Sequence, residues 1–384
     1  MVLYLLVYLA VFAVTILLAA VFQRCYNRIR IDWFSTKKAK KANGVMYCFV
    51  GCVFLMPIIA MFSLRYGIGT DYFNYERIYE AVHGTSISEY WSLHSKGMDL
   101  FYIEPAYYLM NKILPSFRLL LWAMGILMFM LLLLAIRNYS TQIRFSFALF
   151  IFLTTQYIYA QNGMRFSVAL CLILLGYIAL GKNKTWQFII MVLLASLFHQ
   201  ASLFCLAMLP LKRYKYKGAN SIRNILLFVL ILSFPLLIGL LFNIIGNFSA
   251  FERYFSTTQY SRSETMKIGW TWLLHIVPVI LPLLIFCRKE LFKKQDSNFF
   301  FRICIMEIPF RMLGLYNTWY TRFARCSQIA QVIFLPLVLA RVTNKRKRML
   351  LYAYYIAWFL FYFGYYAIVN DQCDSLPYAW IFSQ

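Results

Sequence analysis

The chain has 384 residues, of which 62% are hydrophobic and 14% are charged, with 38 Lys and Arg against 14 Asp and Glu, for a net charge of +24. A soluble domain averages about 45–50% apolar and about 25% charged residues, so a soluble enzyme, a disordered chain and a disulfide scaffold are excluded. The apolar residues come in long blocks, which is typical of transmembrane helices, and in such a protein basic residues report orientation more than nucleic-acid binding.

The apolar blocks predict about 11 membrane spans and one interrupted segment, from their length alone. Ten spans can be given bounds from the sequence, and in chain order they are Met1–Phe22, Val45–Leu64, Arg118–Ile136, Phe145–Tyr159, Phe166–Leu180, Ile225–Ile245, Trp270–Cys287, Asn298–Tyr316, Cys326–Ala340 and Met349–Ile368, with the interrupted stretch Trp186–Leu211 between the fifth and the sixth. The predicted fold class is an all-α polytopic integral membrane protein. It forms a single transmembrane domain over residues 1–384, with a large outer loop at residues 65–117.

Basic residues set the predicted orientation. Met1–Phe22 lacks a basic leading segment and a small-residue cleavage site, so a membrane helix is favoured over a cleaved signal peptide. The basic stretch Arg24–Lys41 follows, and the positive-inside tendency places it in the cytoplasm. The later basic clusters, such as Lys345–Arg348, fall on the same side. We therefore predict a multi-pass plasma-membrane protein with the N-terminus and the C-terminus outside.

The stretch Trp186–Leu211 is interrupted by the polar pair His199–Gln200 and is followed by the basic cluster Lys212–Lys217. A single tilted helix would place this cluster outside, against the charge tendency, whereas two short helices that turn at His199 would return it to the cytoplasm. Non-helical backbone at membrane depth is tolerated where protein or a water-filled cavity surrounds it. A broken hairpin is therefore the favoured prediction.

Charged and ionisable residues near a membrane indicate function by default, because burying them is costly. The predicted topology gathers such residues at the outer boundary, and they are Arg65, Asp71, Glu104, Arg165, His199, Arg253, Arg262, Arg322 and Arg325. Several stand in short turns between apolar helices, where orientation alone predicts few basic residues.

The first motif runs from Arg65 to Tyr72 and contains two glycines. Glycines permit unusual backbone angles, so a tight turn here could direct Asp71 back toward the membrane. The alternative is that Asp71 or Thr70 caps the helix that follows. The two interpretations are compatible with each other.

Two further motifs carry an acid and an arginine. Glu104 precedes Pro105, which is ordinary chemistry for a helix start. Arg165 closes the short turn that begins at Gln161, between two apolar spans. Its guanidinium either anchors the helix at the interface or binds a phosphate, since arginine forms a fixed fork for oxyanions.

The remaining motifs lie later in the chain. The break at His199 needs polar partners at membrane depth, although a lone buried histidine more often serves packing than catalysis. Arg322 and Arg325 are three residues apart and share a helix face. Glu307 and Arg311, four apart beside Pro309, are predicted to form a structural ion pair.

Other site chemistries are not indicated by the sequence. Nine scattered cysteines show no CxxC spacing, and no HExxH motif, His/Cys cluster or Walker loop is present. We therefore predict no metal, no cofactor and no nucleic-acid partner, and the basic clusters are interpreted as contacts to membrane lipids.

In this order and spacing the motifs resemble the EpsG family of bacterial exopolysaccharide proteins, which is related to Wzy-type polymerases. The resemblance covers most of the chain, and its elements are Arg65-Tyr66-Gly67-x-Gly69-Thr70-Asp71-Tyr72, Glu104-Pro105-x-Tyr107, Asn162-Gly163-x-Arg165, Phe198-His199-x-x-Ser202, Arg322-Phe323 before Pro336, and Pro377-Tyr378.

The resemblance implies an enzyme that polymerises lipid-linked oligosaccharide repeat units into exopolysaccharide or capsule at the outer face of the plasma membrane. The growing glycan would leave undecaprenyl diphosphate and join a new undecaprenyl-diphosphate-linked unit, which act as donor and acceptor. The implied fold is GT-C-like, and the transfer would need neither nucleotide sugar nor metal. A flippase and a chain-length regulator are the implied protein partners.

Such a transfer needs a base for the acceptor hydroxyl and positive charge for the leaving diphosphate. Ranked in order, the candidate bases are His199, Asp71 and Glu104, and the candidate diphosphate ligands are Arg165, Arg322 and Arg325, then Arg65 and Arg253. Aromatic residues of the outer loop, among them Tyr72, Tyr107 and Trp91, would stack on sugars or form an interfacial aromatic belt.

Three other functions are compatible with such a membrane protein. A flippase for the lipid-linked oligosaccharide would carry charges along a path through both leaflets, whereas here the polar residues gather at one face. A membrane O-acyltransferase that modifies the glycan would need a path to a cytoplasmic acyl donor. A structural assembly protein is the third alternative.

Overall fold

The computed structural model describes residues 2–33, 37–96, 103–212, 273–282, 295–313, 321–369 and 374–383. Within these ranges the backbone is helical almost throughout, and the extended pairing found there is one isolated antiparallel bridge between Arg65 and Trp380. The prediction of an all-α fold is confirmed for this part of the chain.

The helices of the first half follow one another with short connections. They are α1 (Val2–Trp33), α2 (Lys37–Phe54), α3 (Met56–Ser63), α4 (Tyr72–Gly84), α5 (Ile87–Ser95), α6 (Pro105–Ile113), α7 (Phe117–Arg137), α8 (Phe145–Thr155), α9 (Tyr157–Asn162), α10 (Met164–Gly181) and α11 (Thr185–Ser196), before a 3₁₀ segment at Gln200–Lys212.

The described helices of the second half are α12 (Leu273–Pro282), α13 (Gln295–Ile305), α14 (Glu307–Leu313), α15 (Thr321–Gln328), α16 (Gln331–Arg341) and α17 (Lys345–Gly364), followed by a π-helical turn at Tyr365–Val369 and a 3₁₀ turn at Ile381–Ser383.

Several helices are long and apolar enough to cross a membrane. Among the described residues there are five: Tyr4–Asn27, Phe117–Arg137, Met164–Gly181, Thr321–Arg341 and Lys345–Val369. These spans make the chain a polytopic membrane protein. The total of about 11 spans and the GT-C-like arrangement stay predictions, and Ile225–Ile245 lies outside the described residues.

The second predicted span, Val45–Leu64, is bent. Its two halves, Met46–Phe54 and Met56–Ser63, meet at an angle of 70° and could form one broken span. Pro57 stands in the first turn of α3. Because proline has no N–H and clashes with the preceding turn, it explains a helix that stops and restarts at this point.

The chain forms two compact units. The first comprises Met1–Ala179, Trp186–Leu203 and Tyr352–Gln384, and the second comprises Leu180–Thr185 and Phe204–Leu351. In the first unit α1 packs against α3 and α8, and α7 packs against α2 and α3. The single transmembrane domain of the sequence analysis stays a prediction.

The C-terminal segment of the first unit is fastened to the end of α3. The Tyr66 N–H donates to the Ala379 carbonyl at 3.0 Å, and the Ile381 N–H donates to the Leu64 carbonyl at 3.0 Å. The Tyr378 hydroxyl donates to the Met61 carbonyl at 2.7 Å. These bonds hold the chain where the motif that starts at Arg65 begins.

The predicted outer loop folds, in its described part, into the helices α4, α5 and α6. The Lys112 ammonium donates to the carbonyls of His83 and Thr85 at 2.9 and 2.6 Å, at the end of α4. A cation in this position satisfies carbonyls that the helix leaves without partners. The Tyr90 and Tyr108 rings stack with centroids 3.7 Å apart, which joins α5 to α6.

The break at His199 is confirmed, because α11 ends at Ser196 and the 3₁₀ segment starts at Gln200. The Lys212 ammonium lies 2.6 Å from the Thr185 hydroxyl oxygen, so the end of the 3₁₀ segment is close to the start of α11. A straight helix of this length would separate its two ends by roughly 40 Å. The structure therefore agrees with the predicted broken hairpin.

The second unit is built around a separate set of contacts. In it α14 packs against α15, and α13 packs against α16. The Phe204 ring stacks on Phe323 with a centroid distance of 4.0 Å and meets Phe310 edge-on at 4.9 Å. The returning half of the hairpin is thus part of the apolar core of this unit.

Candidate functional site

The first motif forms a turn that depends on its two glycines. Gly67 and Gly69 have φ angles of +64° and +96°, which side chains other than glycine adopt at a cost. A Cβ atom on Gly69 would lie 2.8 Å from the Gln161 carbonyl oxygen. The turn at residues 65–71 is therefore packed directly on the turn that leads to Arg165.

Gly69→Ala is expected to lower the free energy of unfolding by about 1–3 kcal/mol, because alanine at this position combines an unfavourable φ angle with a clash against the backbone. The measurement is thermal unfolding of the purified protein in detergent. Gly84→Ala is the matched control, since a Cβ at Gly84 meets no atom within 4 Å. Equal unfolding temperatures for the two variants would contradict this account of the turn.

Asn162 joins the first motif to the third. Its side-chain oxygen accepts hydrogen bonds from the Thr70 hydroxyl and the Asp71 N–H, each at 2.8 Å. Asp71 occupies the N-cap position of α4, but its carboxylate makes no capping bond to that helix. Of the two predicted roles for Asp71, side-chain capping is thus not used, and the carboxylate is half-buried beside the site.

Arg65 has the role of a positioning residue in this structure. Its side chain is fully buried, with 0% exposure. One guanidinium nitrogen donates to the Phe62 carbonyl, and the other donates to the Gln161 carbonyl at 3.2 Å. The guanidinium also lies over the Phe62 ring at 4.2 Å. It therefore supports the turn and offers no surface to a diphosphate, which differs from the role suggested by the sequence.

Glu104 and Arg165 form the centre of the site. Arg165 Nη1 donates to Glu104 Oε2 at 2.6 Å, and the Gln200 N–H donates to Glu104 Oε1 at 3.3 Å. The Ala106 N–H donates to the Leu197 carbonyl at 2.9 Å. The motif at Glu104 therefore binds both Arg165 and the tip of the hairpin. An acid that only started helix α6 would not need these contacts.

Two tyrosine rings hold the Arg165 guanidinium. Its central carbon lies 5.2 Å from the Tyr107 ring centroid and 5.6 Å from the Tyr75 ring centroid, which is cation–π geometry. Burial raises the pKa of Tyr75 to about 12, although the positive charge of Arg165 opposes the shift. Tyr75 is therefore neutral at physiological pH, so the arginine is held by rings as well as by Glu104.

His199 lies at the hairpin tip and is half-buried. Its ring packs on Phe166 with a centroid distance of 4.7 Å. Its Nδ1 is 3.3 Å from the Ala201 N–H and accepts that hydrogen bond. An imidazole that accepts at Nδ1 carries its proton on Nε2 when it is neutral. In this arrangement Nε2 of the neutral ring is a donor, which differs from the role of base that the sequence suggested first for His199.

The three predicted sugar-binding aromatics differ in exposure. Tyr72 on α4 and Tyr107 on α6 are 1% and 0% exposed and belong to the buried core of the first unit. Trp91, on α5, is 54% exposed. A sugar can stack only on a ring that reaches the surface, so exposure favours Trp91 among the three, whereas Tyr72 and Tyr107 serve packing.

The other predicted arginines fall elsewhere. Arg322 and Arg325 lie on α15 in the second unit, where Arg322 is half-buried and Arg325 is buried. Arg253 lies outside the described residues. Asp71, Glu104, Arg165, His199 and Arg65 thus all lie in the first unit, and the two arginines of α15 lie in the second unit.

A second polar cluster lies inside the second unit. Arg311 Nε donates to Glu307 Oε1 at 2.8 Å, which confirms the predicted ion pair. Gln331 donates to Glu307 Oε2 at 2.9 Å. His275 Nδ1 is 2.8 Å from Arg311 Nη2 and 2.9 Å from Gln328 Nε2. His275, Gln328 and Gln331 were not predicted as members of this cluster, although polar residues inside apolar spans are the signal that could have found them.

Comparison with known proteins yields one match. The family model of the EpsG family matches residues 48–380, which is most of the chain. No curated protein and no solved structure matches significantly. The matched range contains each of the motifs that meet around Glu104 and Arg165.

Proposed function

The chain belongs to the EpsG family, a family of Wzy-like polymerases, and on that basis we propose that it polymerises undecaprenyl-diphosphate-linked oligosaccharide repeat units. Membership supports an exopolysaccharide-related polymerase in general. The proposal adds the carrier, the outer face of the plasma membrane as the place of reaction, and a metal-independent glycosyl transfer. A flippase and a chain-length regulator are the proposed protein partners.

The convergence of four distant motifs on one ion pair is the observation that carries this proposal. Residues around Gly69, Glu104, Arg165 and His199 are far apart in the chain, yet each contacts another of the four. Packing alone does not require an acid, an arginine and a histidine together at the ends of apolar helices. The group supplies both a proton acceptor and a cation, which glycosyl transfer from a diphosphate needs.

In the proposed reaction the hydroxyl oxygen of the acceptor sugar attacks the anomeric carbon of the donor glycan. The bond from that carbon to the diphosphate oxygen breaks, and its electron pair stays on the diphosphate, where Arg165 stabilises the charge. A base of this site, Asp71 or Glu104, takes the hydroxyl proton. Arg322, Arg325 and Arg253 stay proposed as additional diphosphate ligands, and Trp91 as a sugar-stacking residue.

The direct test incubates the purified full-length protein in lipid nanodiscs with synthetic undecaprenyl-diphosphate-linked repeats. The expected product is a ladder of chains that differ by one repeat. The polymerase function is refuted if the repeats stay monomeric with this protein while another active polymerase extends the same substrate. A lost export phenotype or lost acyl groups in a deletion strain would then distinguish a flippase from an acyltransferase.

Two substitutions of His199 separate its turn contact from its Nε2. Asparagine places an acceptor near the position of Nδ1, and glutamine places a donor near that of Nε2. We expect His199→Asn to keep the unfolding temperature but to lose about 10²-fold in polymerisation rate, the usual effect of removing one donor from a transition state.

His199→Gln is expected to keep more activity than His199→Asn, because it retains a donor close to the substrate. Polymerisation rates and unfolding temperatures are measured on the same preparations. Full activity in His199→Asn would show that the histidine serves the turn alone.

A further inference from the structure

The carboxylate of Glu104 is shared between two partners that belong to different parts of the site. Oε2 pairs with Arg165 at 2.6 Å, and Oε1 accepts the Gln200 N–H at 3.3 Å. Glu104 makes no capping bond to its own helix α6. A ligand that competes for Arg165 therefore acts on the hairpin tip as well.

Arg165 is held in place without depending on Glu104 alone. The rings of Tyr75 and Tyr107 lie against its guanidinium, and its side chain is 20% exposed. A guanidinium that two rings hold in place keeps its position when its carboxylate partner leaves, and its charge and planar shape suit a phosphate as well as a carboxylate.

We propose that the ion pair between Glu104 and Arg165 is exchanged when substrate binds: the donor diphosphate replaces the carboxylate on Arg165, and the freed carboxylate takes the acceptor proton. This inference rests on the proposed function. A diphosphate carries more negative charge than one carboxylate, so Coulomb attraction to the guanidinium favours the exchange. The carboxylate that leaves Arg165 is no longer paired with a cation, so its oxygen is available to the acceptor hydroxyl.

In this scheme Glu104 becomes free to act as a base only after the donor diphosphate has bound. The acceptor hydroxyl proton moves to Glu104, the new glycosidic C–O bond forms, and the bond to the diphosphate oxygen breaks with its electrons on the diphosphate. Glu104 then returns the proton to water and pairs again with Arg165 when the carrier leaves. The base is therefore held in a salt bridge until a diphosphate is in place.

The exchange also loosens one bond of the hairpin tip. The Gln200 N–H loses its acceptor when Glu104 moves, while the bond from Ala106 to the Leu197 carbonyl does not involve the carboxylate. Amide exchange at Gln200 should therefore rise on binding of a diphosphate, and amide exchange at Ala106 should rise less.

The test measures binding of farnesyl diphosphate, an isoprenoid diphosphate without sugar, to full-length protein in nanodiscs. Glu104→Gln should bind it about 10- to 100-fold more tightly than the unchanged protein, because one charge-assisted hydrogen bond no longer competes. The same variant should form no ladder. Glu80→Gln, which changes an exposed carboxylate of α4, is the matched control and should leave binding unchanged.

Equal or weaker binding by Glu104→Gln would overturn the proposal, since a purely structural carboxylate does not compete with the ligand. Hydrogen exchange on the unchanged protein supplies a second test that needs no variant. Saturating farnesyl diphosphate should speed exchange at Gln200, and an unchanged rate would also overturn the proposal. Both readouts work without turnover. A missing ladder from the unchanged protein would therefore refute the polymerase function, whereas the ion-pair exchange is tested separately by binding and hydrogen exchange.

Discussion

Arg165→Ala is expected to stop chain growth, so that single lipid-linked repeats accumulate in place of polymer. The substitution removes the guanidinium that stabilises the leaving diphosphate, and it leaves Glu104 without its cation. Loss of one such electrostatic contact costs about 10²–10³-fold in rate, and the proposed double role makes this a lower bound. The measurement compares product ladders in nanodiscs and polymer length in a complemented deletion strain.

Two further variants make the Arg165 result specific. Arg165→Lys keeps the charge but loses the planar fork, so it should retain a small part of the activity. Arg77→Ala changes an exposed arginine of α4 and should form polymer of normal length. Normal polymer from Arg165→Ala at a normal protein level would exclude Arg165 from the site.

The sequence predicted the features that depend on local chemistry. Apolar length identified spans such as Phe117–Arg137, and the polar pair at His199 marked the break in the hairpin. The glycines of the first motif predicted an unusual turn, which their positive φ angles confirm. Each of these features is fixed by a few neighbouring residues, so the chain alone is informative.

The exposure of individual side chains could not be predicted in the same way. Tyr72 and Tyr107 are residue types that stack on sugars, yet both are buried, and the Arg65 side chain is buried as well. Which side of an outer helix faces the protein depends on how α4 and α6 pack on the rest of the unit. That packing joins residues far apart in sequence, and periodicity over a short helix does not report it.

The partners of a buried ion pair were also beyond the sequence. The spacing of Glu307 and Arg311 predicted their contact, because residues four apart on a helix are neighbours. His275 and Gln331 come from other helices, and only the folded unit brings them to Glu307. A single charged pair in an apolar span indicates that such partners exist, but not which they are.

Glu307→Ala is expected to cause the largest loss of stability of the substitutions considered. Glu307 is fully buried and accepts hydrogen bonds from Arg311 and Gln331. Alanine would leave the Arg311 charge uncompensated inside the protein, which costs about 3–5 kcal/mol in the free energy of unfolding. Thermal unfolding in detergent and the yield of folded protein measure the effect.

The double variant Glu307→Ala with Arg311→Met separates the lost charge balance from lost packing. Removing both charges leaves no unpaired ion, so much of the stability should return. Glu80→Ala, at an exposed position, should change stability by no more than about 0.5 kcal/mol. If the double variant is as unstable as Glu307→Ala alone, the cost comes from the missing glutamate contacts with Gln331 and His275, and the ion pair itself contributes little.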